Sequence, residues 1–258
     1  METRTMAHDG TVNNAYALVT SMDKKYFLHC GKLMISSFEK KWKNVDLYCY
    51  NEDFEFKSKL WKQLGWDLGE DYNNFYRRWT SDNQKVTTFG KKAFSIIHAM
   101  ENVPCDWLIW VDADCEAIID MNNQLLELIS DPRYLSVHFG VKHTMDDNTY
   151  FSCETGFFML NTHHSLYKEF CETYKSIYVN DDNKNLRRFY DGEVYGETVL
   201  RMQDKGADML DLNKGHVHKT PIPRSILAPY IRHYKAGAKD DADFEGKIKE
   251  ENNNDLLE

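Results

Sequence analysis

Apolar and polar positions along this chain switch between a strand-like period of about two and a helix-like period of about 3.6, which predicts alternating strands and helices. Residues 15–20, AYALVT, form an apolar run of strand length that the turn-like Ser21 to Asp23 closes. After it, Phe27, Leu28, Leu33, Met34, Ile35 and Phe38 fall at spacings that give a helix one buried face. VDLYCY, residues 45–50, returns to the strand pattern. Parallel strands joined in this way need a crossover, and a helix is the usual one, so the order predicts an α/β sheet. Residues 55–90, with Trp61, Trp66, Tyr72, Phe75, Tyr76 and Trp79, show no dominant period. KKAFSIIHAM, 91–100, reads as a helix that passes through a turn at Pro104 into another strand. Further on, MNNQLLELIS reads as a short helix with Asp120 as a possible cap and Asp131-Pro132 as its stop. YLSVHFG and GFFMLN (156–161) read as strands, SLYKEFCETYKSIY as a helix packed by one face, and 191–206 as a helix opening at Asp191.

The strand before residue 112 has the most chemical content. WLIWVDADCEA, Trp107 to Ala117, is an unbroken apolar run that delivers Asp112 and Asp114 at its end. In open α/β sheets the ligand crevice lies beyond the carboxyl ends of such strands. Paired carboxylates there suit Mg²⁺ or Mn²⁺, and a protein offering so few ligands usually shares the ion with substrate phosphates. The same spacing recurs at Asp241 and Asp243, in a polar tail with no preceding strand, where it reads as solvated charge.

Composition narrows the class further. A chain of 258 residues with 42% hydrophobic content can bury one large core or two small ones. No apolar stretch approaches the roughly 20 residues that span a bilayer, and METRTMAHDGTVNN lacks a signal core, so a soluble, cytoplasmic protein is expected. Cys30, Cys49, Cys105, Cys115, Cys153 and Cys171 contain no close pair and read as buried small hydrophobes. The net charge of −9 argues against broad nucleic-acid binding, although 85–92 and 216–239 are basic islands.

Together, AYALVTS, WLIWVDADCEA, ETGFFMLN and HYKAG resemble the GT-A glycosyltransferases, nucleotide-sugar enzymes on a Rossmann-like, mixed and mostly parallel sheet flanked by helices. The resemblance covers 12–240, with a nucleotide-binding part at about 12–117, an acceptor-side part at about 118–240, and an acidic tail at 241–258 expected to be disordered. It implies that Ala17, Val19, Thr20 and Ser21 hold the nucleoside of a donor, expected to be a UDP-sugar. It also implies that Asp114 ligates Mn²⁺ or Mg²⁺ directly, with Asp112 shared between metal and ribose. His233 would complete the metal set, with His216 and His218 as rivals, and an imidazole ligand favours manganese. Lys235, Gly237 and Lys239 would approach the diphosphate, although their spacing departs by one from the His-x-x-Gly-x-x-Lys form of glycogenin-like enzymes. Lys92, with Lys91 as second choice, would neutralise phosphate or hold the base. Glu154, Asp191 and Glu193 compete for the role at the anomeric carbon.

The implied acceptor is a protein, a glycan or lipid precursor, or a hydroxymethylated base in DNA, as for some phage enzymes. Two readings from other classes stand beside this one. A phosphohydrolase of the haloacid dehalogenase type also places Asp-x-Asp after a strand, but on its first strand and with Thr or Val where Glu116 stands here. A binding module that has lost its chemistry is the other. No internal repeat is evident.

Overall fold

The computed structural model describes residues 15–79, 84–121, 123–145, 148–182, 186–214 and 221–234. β1 (Tyr16–Met22) runs two residues beyond the expected strand and carries Ser21 within it. The Asp23 carboxylate then accepts the Tyr26 amide at 2.6 Å and so caps α1 (Lys24–Tyr26). A π-helical turn, Phe27–Gly31, links α1 to α2 (Lys32–Lys41). A π turn carries an extra residue and shifts the phase of the buried face. Leu28, expected on that face, is consequently 39% exposed, whereas Phe27, Met34, Ile35 and Phe38 are fully buried.

The chain continues through β2 (Asp46–Asn51) and β3 (Trp61–Leu64) to α3 (Gly69–Trp79) and α4 (Gln84–Asn102). The stretch without a clear period thus contains a short strand, an aromatic-rich helix and the first turns of the helix expected only from residue 91. β4 (Trp107–Val111) and the three-residue β5 (Cys115–Ala117) bracket the aspartate pair. α5 (Asn123–Ile129) starts three residues beyond Asp120, which therefore does not occupy its cap position. β6 (Tyr134–Met145) and β7 (Asn148–Asn161) form a long antiparallel hairpin, then come α6 (Tyr167–Val179), α7 (Asp191–Asp204), β8 (Asp208–Asp211) and β9 (Ile231–His233).

Seven strands make one mixed sheet in the order β3-β2-β1-β4-β7-β6-β8. Pairing is parallel from β3 through β4 and again between β6 and β8, and antiparallel at β4–β7 and β7–β6. Alternate residues of the central strands feed two cores. Ala17, Val19, Leu108 and Trp110 pack with α3, α4, α6 and α7, while Leu18, Ile109 and Val111 pack with α2 and α5. Burial on both faces explains why β1 and β4 read as unbroken apolar runs. A second, two-stranded sheet pairs β5 with β9, setting Cys115 opposite His233. No described helix is long and apolar enough to cross a membrane.

Candidate active site

The carboxyl ends of β1 and β4 open into two cavities that meet at Tyr26, Phe89, Asp112 and Asp191. The smaller, about 250 Å³, is lined by Ser21, Met22 and Asp23 together with Glu52, Trp66, Lys91, Lys92 and Trp110. The larger, about 820 Å³, is lined by Asp114, Glu154, Glu193 and His233 together with His143, Tyr150, Arg187, Arg188 and Tyr190.

Asp112 and Asp114 have different surroundings. Asp112 Oδ1 lies 2.6 Å from Lys92 Nζ and accepts the Trp110 indole N–H at 2.8 Å. Its backbone amide donates to Gly156 O at 3.0 Å, fixing the turn against β7. Asp114 Oδ1 instead faces His233 Nε2 at 3.2 Å, a juxtaposition created by the β5–β9 pairing. Gly156 makes room for that imidazole, because a Cβ there would sit 2.7 Å from His233 Cε1. Glu154 Oε1 accepts the Gly156 amide at 3.1 Å and borders the same ring. The metal-ligating atoms of Asp114, Cys115 and His233 lie within 4.8 Å of one another. Burial holds the Cys115 thiol well above its usual range, and the oxygen and nitrogen donors of the three are the Asp114 carboxylate and the His233 imidazole. That set, with Asp112 adjacent, fits a hard or borderline divalent cation.

Lys92 is the electrostatic centre of the floor. Beyond Asp112, its Nζ lies 2.9 Å from Asp191 Oδ2 and donates to Thr155 O at 2.9 Å and Thr155 Oγ1 at 3.1 Å. The Thr155 hydroxyl in turn donates to Asp191 Oδ2 at 2.6 Å. Burial opposes the Asp191 charge, but Lys92 and Thr155 outweigh it and hold its pKa below the ordinary aspartate value. Burial lifts the Asp112 carboxyl above its ordinary value against the pull of Lys92, and the Asp114 charge adds to the rise. Burial alone would favour neutral His233, yet Asp114 and the neighbouring carboxylates leave its pKa raised.

The same architecture occurs in solved glycosyltransferases. The galactosyltransferase LgtC, in complex with donor and acceptor sugar analogs, matches with a TM-score of 0.54 at 12% identity, over 91% of this chain and 95% of its own. An active-site mutant of LgtC gives 0.56 at 13% identity over 93% and 96%. The bifunctional glycosyltransferase WbbM, in its apo form, gives 0.51 at 13% identity over 92% of this chain and 50% of its own. This chain has a GT-A fold. No protein-family model and no curated protein sequence matches it. The aspartate pair follows the fourth strand of the GT-A sheet, not the first, which removes the geometric basis for the dehalogenase-type reading.

Among the expected nucleoside-binding positions, Ser21 lines the smaller cavity. Ala17, Val19 and Thr20 are fully buried, because β1 lies in the middle of the GT-A sheet with helices on both faces. Asp112, Asp114 and His233 converge, and Glu154, Asp191 and Glu193 all line the larger cavity. Asp191 is the first residue of α7, but its side chain turns to Lys92 and Thr155 instead of only capping the helix. Glu193 is tied to Arg188, accepting its backbone amide at 2.6 Å and its Nε–H at 2.9 Å. Lys91 is paired with Glu52. Lys235, Gly237, Lys239, His216 and His218 lie outside the described residues. Sequence reasoning missed Thr155, Trp110 and Tyr26, and the arginine-aromatic wall of the larger cavity. Thr155 stands beside Glu154 and Trp110 two residues before Asp112, so adjacency was an available signal for both.

Proposed function

We propose that this chain is a metal-dependent glycosyltransferase that moves a sugar from a nucleoside diphosphate donor, a UDP-sugar in the first instance, to an acceptor hydroxyl. The observation that carries this is the Asp114–His233 pair set beside the junction of two cavities at the carboxyl ends of β1 and β4. A Mn²⁺ or Mg²⁺ ion held by Asp114 and His233, with Asp112 alongside, would stabilise the charge that grows on the departing diphosphate. The imidazole favours manganese.

The remaining work falls to the chain's own residues. The end of β1 and the cap residue after it, Ser21 to Asp23, receive the nucleoside in the smaller cavity, and the sugar and acceptor occupy the larger one. Lys92 orients Asp112 and Asp191 and is a positioning residue, since its ammonium is already surrounded by two carboxylates and two Thr155 oxygens. Asp191 is held below its ordinary pKa by Lys92 and Thr155, which weakens it as a base, and both Glu193 carboxylate oxygens are occupied by Arg188. Glu154, beside the His233 ring, is therefore our assignment for the carboxylate facing the acceptor hydroxyl. Residues 12–240 are read as one catalytic unit with the tail excluded.

Hydrolysis of a panel of nucleoside diphosphate sugars, with Mn²⁺ and with chelator, tests the reading. Turnover should require the metal, and Asp114→Asn and His233→Ala should each lower it by about two orders of magnitude or more. Full activity of an Asp112→Asn, Asp114→Asn double variant would overturn the proposal.

A further inference from the structure

Charge is segregated within the larger cavity. Its inner floor is acidic and buried: Glu154, Asp191 and Glu193 are 8%, 8% and 5% exposed. Its rim carries the exposed guanidinium groups of Arg187 and Arg188. Both are held against rings. The Arg187 guanidinium lies 5.1 Å from the Tyr150 ring centre and donates to the Tyr150 hydroxyl at 2.7 Å. Tyr150 in turn stacks on His143 at 4.5 Å with an 8° interplanar angle, a cross-strand pair of the β6–β7 hairpin. Arg188 lies 5.0 Å from the Tyr190 ring centre and is fixed from below by Glu193. An arginine immobilised in this way loses little further entropy on binding and presents a planar fork suited to carboxylate or phosphate.

A ligand complementary to this cavity has a hydrogen-bond-donating hydroxyl end for the acidic floor and an anionic group for the rim. Resting on the glycosyltransferase reading above, we propose that the acceptor is an anionic carbohydrate, a sugar bearing a carboxylate or phosphate. Its reacting hydroxyl faces the Glu154 and Asp191 floor, and Arg187 binds its anionic group. Arg188, already engaged by Glu193, positions the rim. A polyanion such as DNA fits less well, because the acidic floor and the net charge of −9 oppose a continuous run of phosphates.

The test compares acceptor series under Mn²⁺ with the donor found by hydrolysis: neutral oligosaccharides, the same oligosaccharides ending in a uronic acid, sugar phosphates, and hydroxymethylated DNA. The expected result is at least a tenfold higher kcat/KM for one acidic series than for its neutral counterpart, and which series responds separates carboxylate from phosphate. Arg187→Gln should erase that preference, raising KM for the acidic acceptor at least fivefold more than for its neutral counterpart, and Arg187→Lys should restore part of it. Equal use of neutral and acidic acceptors, preferred use of DNA, or an equal loss on both series in Arg187→Gln would overturn this proposal while donor hydrolysis persists. Failure of every nucleotide sugar to turn over would instead overturn the reading beneath it.

Discussion

Removing the Lys92 ammonium should convert the floor of the site from a compensated cluster into two facing carboxylates. At an effective dielectric of about 20, a charge pair at the 2.9 Å Lys92–Asp191 separation attracts by roughly 6 kcal/mol before the cost of burying either ion. The Asp112 contact at 2.6 Å is comparable. Much of this gross attraction is spent on desolvation, and truncating one partner of a buried pair typically costs about 3–5 kcal/mol. Lys92→Met should therefore lower stability by about that amount, or on the order of 10 °C in Tm for a chain of this size. Urea unfolding at pH 7 without divalent metal measures it, and a double-mutant cycle with Asp191→Asn isolates the mechanism. In the Asp191→Asn background the Lys92→Met penalty should shrink by about 1–3 kcal/mol. Acidification adds a signed check. The native Asp191 pKa is lowered, so its contribution is present above the unfolded value of about 3.9 and is lost as pH falls through the native pKa. Without Lys92 the two carboxyls take up protons more readily when folded, so the deficit should be largest at pH 7 and narrow toward pH 4. Additivity of the two substitutions within about 0.5 kcal/mol would refute the account.

Other consequences concern neighbouring positions. His138 is 1% exposed, its Nδ1 has no hydrogen-bond partner among the described residues, and burial lowers its pKa to about 4. Because the unfolded chain takes up this proton near pH 6.5, stability should fall by roughly 3 kcal/mol as pH drops from 6.5 to 4. Urea midpoints against pH should show that slope flattened in His138→Phe, and parallel profiles would contradict it. Gly156→Ala puts a methyl 2.7 Å from His233 Cε1 and 3.2 Å from Glu154 Oε1, so calorimetry should find Mn²⁺ affinity reduced about 10–100-fold. Gly192→Ala would drive a Cβ to 2.4 Å from the Cys153 carbonyl oxygen and displace the start of α7. Thermal melts should register a loss of about 1–3 kcal/mol, and a neutral effect would show that the helix shifts freely.

The parts of this fold legible in the sequence are those in which one physical rule dominates. β1, β2 and β4 are buried on both faces, and their apolar runs mark them directly. α6 buries Phe170, Tyr174 and Ile177 on one stripe, and its period survives intact. The region from Trp61 to Trp79 was opaque because β3 is a four-residue strand with only Trp61 buried. α3, which follows it, buries just Tyr72 and Phe75 beneath aromatic partners from other helices. The Asp114–His233 pair illustrates the same divide. Asp114 was visible from its strand, and His233 only through resemblance, because their meeting depends on a three-residue ladder with no local pattern. The Lys92, Thr155 and Asp191 cluster joins α4, β7 and α7, and no spacing rule links positions so far apart.

The small β5–β9 ladder also acts as a clasp. Three residue pairs, the Tyr234 amide donating to Asp114 O at 2.9 Å, and the Tyr234 hydroxyl donating to Glu116 across 118 positions of sequence hold His233 to the sheet. So short a ladder opens at a lower free energy than the seven-stranded sheet, and opening it parts His233 from Asp114 without disturbing the core. An ion shared by these two side chains would rivet the clasp shut and lend it stability by mass action. On heating in chelator, amide exchange in the β5–β9 ladder should then rise before the sheet is lost, and Mn²⁺ should bring the two events together.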